Sequence, residues 1–81
     1  MPTVLRIGPY RFYFFSNEGD EPPHIHVDRD EATGKVWLDP ITLARSRGFR
    51  GKEINGILEI VEEHQSELLE GWHEYFGTAD G

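Results

Sequence analysis

From Ile54 to Tyr75 the residues Ile54, Leu58, Val61, Leu68, Trp72 and Tyr75 follow three- and four-residue spacing, with Gln65 interrupting the stripe. This pattern predicts one long amphipathic helix from about Gly51 to Tyr75. It limits what the rest of the chain can build, because one helix covers one face of one sheet. The upstream residues read as strands, so the expected architecture is an α+β sandwich with a second sheet face left open.

Thr3–Ile7 and Tyr10–Ser16 read as strands joined at Gly8-Pro9, where Gly8 at the first central position suits a type II′ turn. The second, Tyr-Arg-Phe-Tyr-Phe-Phe, is apolar on both faces and points to a central place in the sheet. An acidic, turn-rich loop over Ser16–Pro23 leads to a third strand, His24–Asp28. A charged loop, Arg29–Thr33, leads to a fourth, Gly34–Leu38. Asp39-Pro40 then reads as a helix start, with Asp39 as the cap and Pro40 in the first turn. A short helix over Pro40–Arg47 would end on Arg45 and Arg47, with Gly48 as a left-handed cap. The expected order is ββββαα: a four-stranded antiparallel sheet, a short helix and the long helix, in a single domain over residues 1–81 with a flexible tail from about 77.

At 81 residues the chain buries a thin core. It has no cysteine, which excludes disulfides and thiolate metal sites. The N-terminus lacks the charged and apolar regions of a signal peptide, and no apolar run reaches membrane-spanning length. A soluble cytoplasmic protein is the economical expectation. The net charge of −7 is unevenly spread. All eight Lys and Arg lie in residues 1–52 with seven acids; residues 53–81 carry eight acids and neither Lys nor Arg. An acidic chain argues against general binding to nucleic acid, although the near-neutral first half leaves room for a local basic patch.

In His24-Ile-His-Val-Asp, strand alternation sends Ile25 and Val27 to a core and His24, His26 and Asp28 to the opposite surface. Two imidazoles at that spacing can share a zinc or nickel ion with Asp28, or serve as acid and base. They can equally well pack and hydrogen-bond locally. His64, at the edge of the helical stripe, is a third catalytic candidate or a half-buried structural histidine; His73 reads as surface. The open face would carry Tyr13, Phe15, His24, His26 and Trp37, next to Pro22 and Pro23, and an exposed aromatic patch marks an interface or groove. Arg45, Arg47, Arg50 and Lys52 form the one cluster of cations, either a patch for an acidic partner or RNA, or complements to a helix end. The glutamates Glu53, Glu59, Glu62, Glu63, Glu67, Glu70 and Glu74 read mostly as a solvated helix face. No phosphate-binding glycine loop or nucleophile elbow is present.

The opening Met-Pro-Thr-Val-Leu-Arg, Gly-Pro-Tyr-Arg-Phe-Tyr-Phe-Phe, Glu-Pro-Pro-His-Ile-His-Val, Trp-Leu-Asp-Pro and the closing Leu-Leu-Glu-Gly-Trp-His-Glu-Tyr-Phe-Gly resemble the bacterial family known as domain of unknown function 4160. The resemblance spans essentially the whole chain and is most specific over Pro22–Val27. It implies a small protein often encoded beside another short domain, an arrangement like a toxin–antitoxin pair, and it carries no catalytic residues. Arg50 stands where relatives often have a serine cap, although Glu53 remains where a capping-box acid belongs. Gly19, Asp20 and Glu21 stand where some relatives have a further histidine, which counts against a three-histidine site. The leading expectation is a binding module working by protein–protein contact with a small partner encoded nearby. A homodimer is a further option. The alternatives are a histidine- or metal-dependent ribonuclease-type toxin and a metal sensor or carrier.

Overall fold

Every strand among the described residues pairs with the strand that precedes or follows it in sequence. The computed structural model describes residues 3–15 and 19–77, with the backbone alone at Thr3 and Val4. Five strands form one antiparallel meander in the order β1-β2-β3-β4-β5: β1 (Thr3–Ile7), β2 (Tyr10–Tyr13), β3 (His24–Arg29), β4 (Ala32–Leu38) and β5 (Ile41–Arg47). Two helices follow, α1 (Gly51–Glu63) and α2 (Gln65–Phe76). The α+β class and the antiparallel sheet agree with the sequence reading. The strand count does not.

The extra strand is the segment expected as a short helix. Ile41 pairs with Leu38, so Asp39 and Pro40 make a two-residue hairpin turn, with a cis peptide between them, instead of a helix start. Ile41 and Leu43 alternate with Thr42, and this period of two packs onto the sheet where the expected helix would not. Gly48, expected as a helix cap, does adopt positive φ (89°), but in the bend after β5; a Cβ there would lie 3.0 Å from the Ala32 Cβ.

The other turns are short. Gly8 has φ 55° between the paired Ile7 and Tyr10. Asp30 has φ 53° between the paired Arg29 and Ala32, so the expected Arg29–Thr33 loop contracts to Asp30-Glu31. An aspartate tolerates that left-handed conformation better than most side chains. Ser16 and the tail beyond Gly77, both included in the sequence reading, lie outside the described residues.

The helical layer is divided at His64. There φ is −114° and ψ 16°, and the ring Nδ1 lies 2.9 Å from the Ile60 carbonyl. Gln65, which breaks the apolar stripe, donates from Nε2 to the Leu38 carbonyl at 2.7 Å and ties the junction to the end of β4. Phe12, Phe14, Ile25, Val27, Val36 and Leu38 from the sheet region pack with Ile57, Val61, Leu68 and Trp72 from the helices. Burying such a side chain contributes about 1.5–3 kcal/mol each. One member of the expected stripe differs, Tyr75 being 48% exposed, and Ile57, outside that stripe, is buried.

Glu53 also departs from expectation. Arg50 makes no side-chain cap at the start of α1. The Glu53 carboxylate instead reaches the sheet, accepting from Arg29 Nη2 at 2.9 Å and from the Tyr10 hydroxyl at 2.8 Å. This clamp joins β2, β3 and α1. Its hydrogen bond from Arg29 holds the Glu53 carboxyl below the ordinary range, while burial, followed by the Glu53 contact, raises the Tyr10 phenol.

Candidate functional site

Antiparallel register places opposed residues on the same face, so the strand pairings define what lies on the side away from α1. One row crosses the whole sheet: Arg6, Arg11, Asp28, Thr33 and Arg47. A second runs Tyr13, His26, Lys35 and Arg45. A third joins His24, Trp37 and Thr42. Together they hold five of the chain's eight cations, Arg6, Arg11, Lys35, Arg45 and Arg47, with Asp28 as the only acid in these rows. The helices contain Glu53, Glu59, Glu62, Glu63, Glu67, Glu70 and Glu74 against Lys52 alone. An acidic protein therefore presents a basic sheet face.

An irregularity in β5 supplies two of those five cations. Lys35 pairs with Arg45 but Val36 pairs with Leu43, leaving Ala44 as an extra residue. In strict alternation Arg45 and Arg47 would follow Ile41 and Leu43 toward the core. The bulge turns both arginines onto the open face, a recognised use of an inserted residue.

The aromatic residues expected on this face do meet there. Tyr13 stacks on His26, with centroids 5.5 Å apart and planes 20° from parallel. Phe15 lies edge-on to both, 5.5 Å from Tyr13 and 4.7 Å from His26. His24 lies 5.2 Å from His26 and 5.5 Å from Trp37, edge-on in each case. The two imidazoles thus occupy one side of the sheet, but at different depths. His24 is wholly buried against Trp72 of α2, with Nδ1 3.0 Å from the Pro22 carbonyl. His26 is 4% exposed and forms part of a groove floor, whereas Phe15 is 38% exposed at its edge.

That groove encloses about 330 Å³ and is lined by Tyr13, Phe15, His26, Thr33, Gly34, Arg45, Ser46 and Arg47. Its polar framework is set by neighbours. The Tyr13 hydroxyl donates to Asp28 Oδ1 at 3.0 Å, and Arg11 lies 3.6 Å from the other carboxylate oxygen and 4.7 Å over the Tyr13 ring. Burial first, and then the Asp28 contact, raise the Tyr13 phenol above its usual range. Lys35 donates to Glu21 at 2.8 Å and lies 4.6 Å over Trp37. Among the described residues Arg45 and Arg47 form no ion pair, and both are exposed.

The remaining sequence candidates disperse. Among the described residues no three His, Cys, Asp or Glu side chains form a group that could hold a metal ion. Asp28, the expected third ligand, is turned to Tyr13 and Arg11. His64 sits at the junction of the helices, against Ile60, and His73 is exposed on α2. Of the four clustered cations, Arg45 and Arg47 belong to the open face; Arg50 precedes α1 and Lys52 lies in its first turn, both outside the rows. Pro22 and Pro23 act through their carbonyls, to His24 and to the Leu38 amide. Arg6 and Arg11 were missed as members of the basic face. Their alternation with Leu5, Ile7, Tyr10 and Phe12 was the available signal.

No helix among the described residues is long and apolar enough to cross a membrane. No curated protein and no solved structure matches the chain. Residues 10–73 match a family model described as Domain of unknown function (DUF4160), a span that includes β2 to β5, α1 and most of α2. The matched span holds every residue lining the groove, and the chain belongs to that family.

Proposed function

We propose that this protein is a binding module whose working surface is the open face of its sheet, where it engages a negatively charged partner. The observation that carries this reading is the separation of charge: five cations in the cross-strand rows of a chain with net charge −7, and the glutamates in the helices. A field of that form attracts and orients an anionic partner toward one side of the molecule. The groove adds an apolar element, since Phe15 is exposed beside Arg45, Ser46 and Arg47. Its volume of about 330 Å³ lies at the lower end of the usual range for ligand pockets.

The test is chemical-shift mapping of the ¹⁵N-labelled chain, titrated with polyglutamate, heparin and the product of the adjacent gene. Perturbed amides at Thr33, Arg45, Ser46 and Arg47 are expected for at least one probe, and Arg45→Glu with Arg47→Glu should remove the response. Perturbations confined to α1 and α2, or none with any probe, would end the reading.

One observation favours hydrolytic chemistry as a second reading: His26 lines the groove beside two arginines that could hold a phosphate. Acid–base cleavage also calls for a second proton-transfer group. His24 is fully buried and engaged at the Pro22 carbonyl, and His64 lies at the helix junction. Retention of any nuclease activity by His26→Gln would remove His26 from that role.

A further inference from the structure

Resting on the binding-face reading, we infer that the occupant of the groove is single-stranded nucleic acid, held by stacking on Phe15 and by phosphate contacts to Arg45 and Arg47. Three features distinguish this occupant from other anions. First, the groove combines an exposed ring with free charge. Phe15 is 38% exposed, and its edge contacts to Tyr13 and His26 fix the plane in which it meets solvent. A nucleotide offers a flat base and a phosphate together, whereas an acidic peptide offers charge without the ring. Aromatic platforms flanked by cations are the usual means of holding an unpaired strand.

Second, Arg45 and Arg47 lie two residues apart on one side of one strand, and Thr33, opposite Arg47, supplies a hydroxyl on the same face. Two residues of strand advance roughly 6.6–6.8 Å. Charges at that separation can take successive phosphates of an extended strand. Neither arginine has an ion-pair partner among the described residues, so neither must leave one to bind. Lys35 differs: it is already engaged by Glu21 and Trp37, so its charge is largely offset and it is not counted among the phosphate contacts.

Third, the surface is a sheet with no described helix or loop placed to enter a duplex groove, and the glutamate-bearing helices repel the backbone elsewhere. A duplex would gain few phosphate contacts and no stacking. With two or three phosphates neutralised, the logarithm of affinity should fall against the logarithm of salt with a slope of about −1.4 to −2.1. That shallow dependence follows from the few cations at the site, and the stacking contribution is read from Phe15 and not from the salt slope.

Fluorescence anisotropy with a labelled ten-residue oligouridine, in parallel with a ten-base-pair RNA duplex and labelled polyglutamate, tests the inference. The oligouridine should bind at least tenfold tighter than either control. Arg45→Glu with Arg47→Glu should abolish binding. Phe15→Ala should weaken it by about 5- to 160-fold, the range expected for one stacked base. Phe15→Leu, which keeps apolar bulk and loses the flat ring, should weaken it comparably. Lys52→Glu, on α1, should leave it unchanged, and circular dichroism confirms folding of each variant. Equal affinity for all three probes, or indifference to both Phe15 substitutions, would overturn the inference. Absence of oligouridine binding would do so too. If polyglutamate or the adjacent protein still perturbs Arg45 and Arg47 in that case, the working face stands and only its occupant is wrong. If nothing perturbs them, both readings fall together.

Discussion

The Tyr13 phenol ring lies over the His26 imidazole, 5.5 Å between centroids, joining β2 to β3 on the face opposite α1. Phe15 abuts both rings and His24 abuts His26 from the other side. His26 is therefore a packing element of the groove floor as well as a lining residue. Replacing it with alanine should cost about 1–3 kcal/mol, from the lost aromatic contacts and the cavity left between Phe15 and His24. His26→Phe should recover most of that loss. Urea denaturation of the two variants checks this, and a cost below about 0.5 kcal/mol for His26→Ala would show that the stack is not structural. A functional assay using alanine alone would confuse lost chemistry with lost packing.

The clamp formed by Tyr10, Arg29 and Glu53 should make stability sensitive to acid. Arg29 holds the Glu53 carboxyl below its ordinary range. A depressed carboxyl stabilises the fold fully above its unfolded pKa of about 4.3 and loses that contribution as pH falls through the lower folded value. Glu53→Gln should thus be less stable than the parent at neutral pH, and the gap should close between about pH 4 and the acid limit of folding. Melting temperatures measured from pH 7 to pH 3 decide the matter. Parallel curves across that interval would exclude the clamp as a titrating contributor.

Alkaline pH should act through the phenols with the opposite sign. Tyr10 and Tyr13 are both raised, first by burial and then by hydrogen bonds to Glu53 and Asp28. A raised phenol contributes stability that is complete below the unfolded pKa of about 10 and is lost as pH rises through the folded value. Absorbance at 295 nm should show a late-ionising tyrosine component that shrinks in Tyr13→Phe. That variant should also lose less stability between about pH 10 and 12 than the parent. If the amplitude lost in Tyr13→Phe comes from the normally ionising component and the late one is intact, Tyr13 is not the raised phenol.

The open face was legible because it depends on a period of two. Ile25 and Val27 facing inward required His24 and His26 to share the other side, and Tyr13, Phe15 and Trp37 followed by the same rule. What alternation does not encode is depth. His24 disappears beneath Trp72 because α2 packs where β3 begins, and that placement depends on Gln65 reaching the Leu38 carbonyl across 27 positions of sequence. The misassigned segment failed for a local reason. Asp39-Pro40 carries the residue types of a helix start and also of a tight turn, and only Thr42 between Ile41 and Leu43 separated the two. The bulge then disguised β5, since an extra Ala44 breaks the alternation just where the arginines begin. Glu53 was read as a local cap because its partners, Arg29 and Tyr10, are 24 and 43 residues away.

Ala44 itself gives the sharpest structural prediction. Bulged out opposite Lys35 and Val36, it leaves Ile41 and Leu43 facing the core and Arg45 and Arg47 facing the groove. Deleting Ala44 closes the bulge and makes Arg45 the direct successor of Leu43. Strict alternation then keeps Ile41 and Leu43 on the core side and Arg45 and Arg47 on the groove side, with Val36 and Lys35 still the partners of Leu43 and Arg45. The deletion variant should therefore fold, with a stability within about 1 kcal/mol of the parent. Ala44→Ser keeps the residue count at an exposed position and should change stability by less than about 0.5 kcal/mol. Chemical denaturation compares both variants with the parent, and amide exchange along β5 reports its pairing. If the deletion instead detaches β5 or moves Arg45 away from Lys35, Ala44 is not a simple one-residue bulge, and the basic face must have another cause.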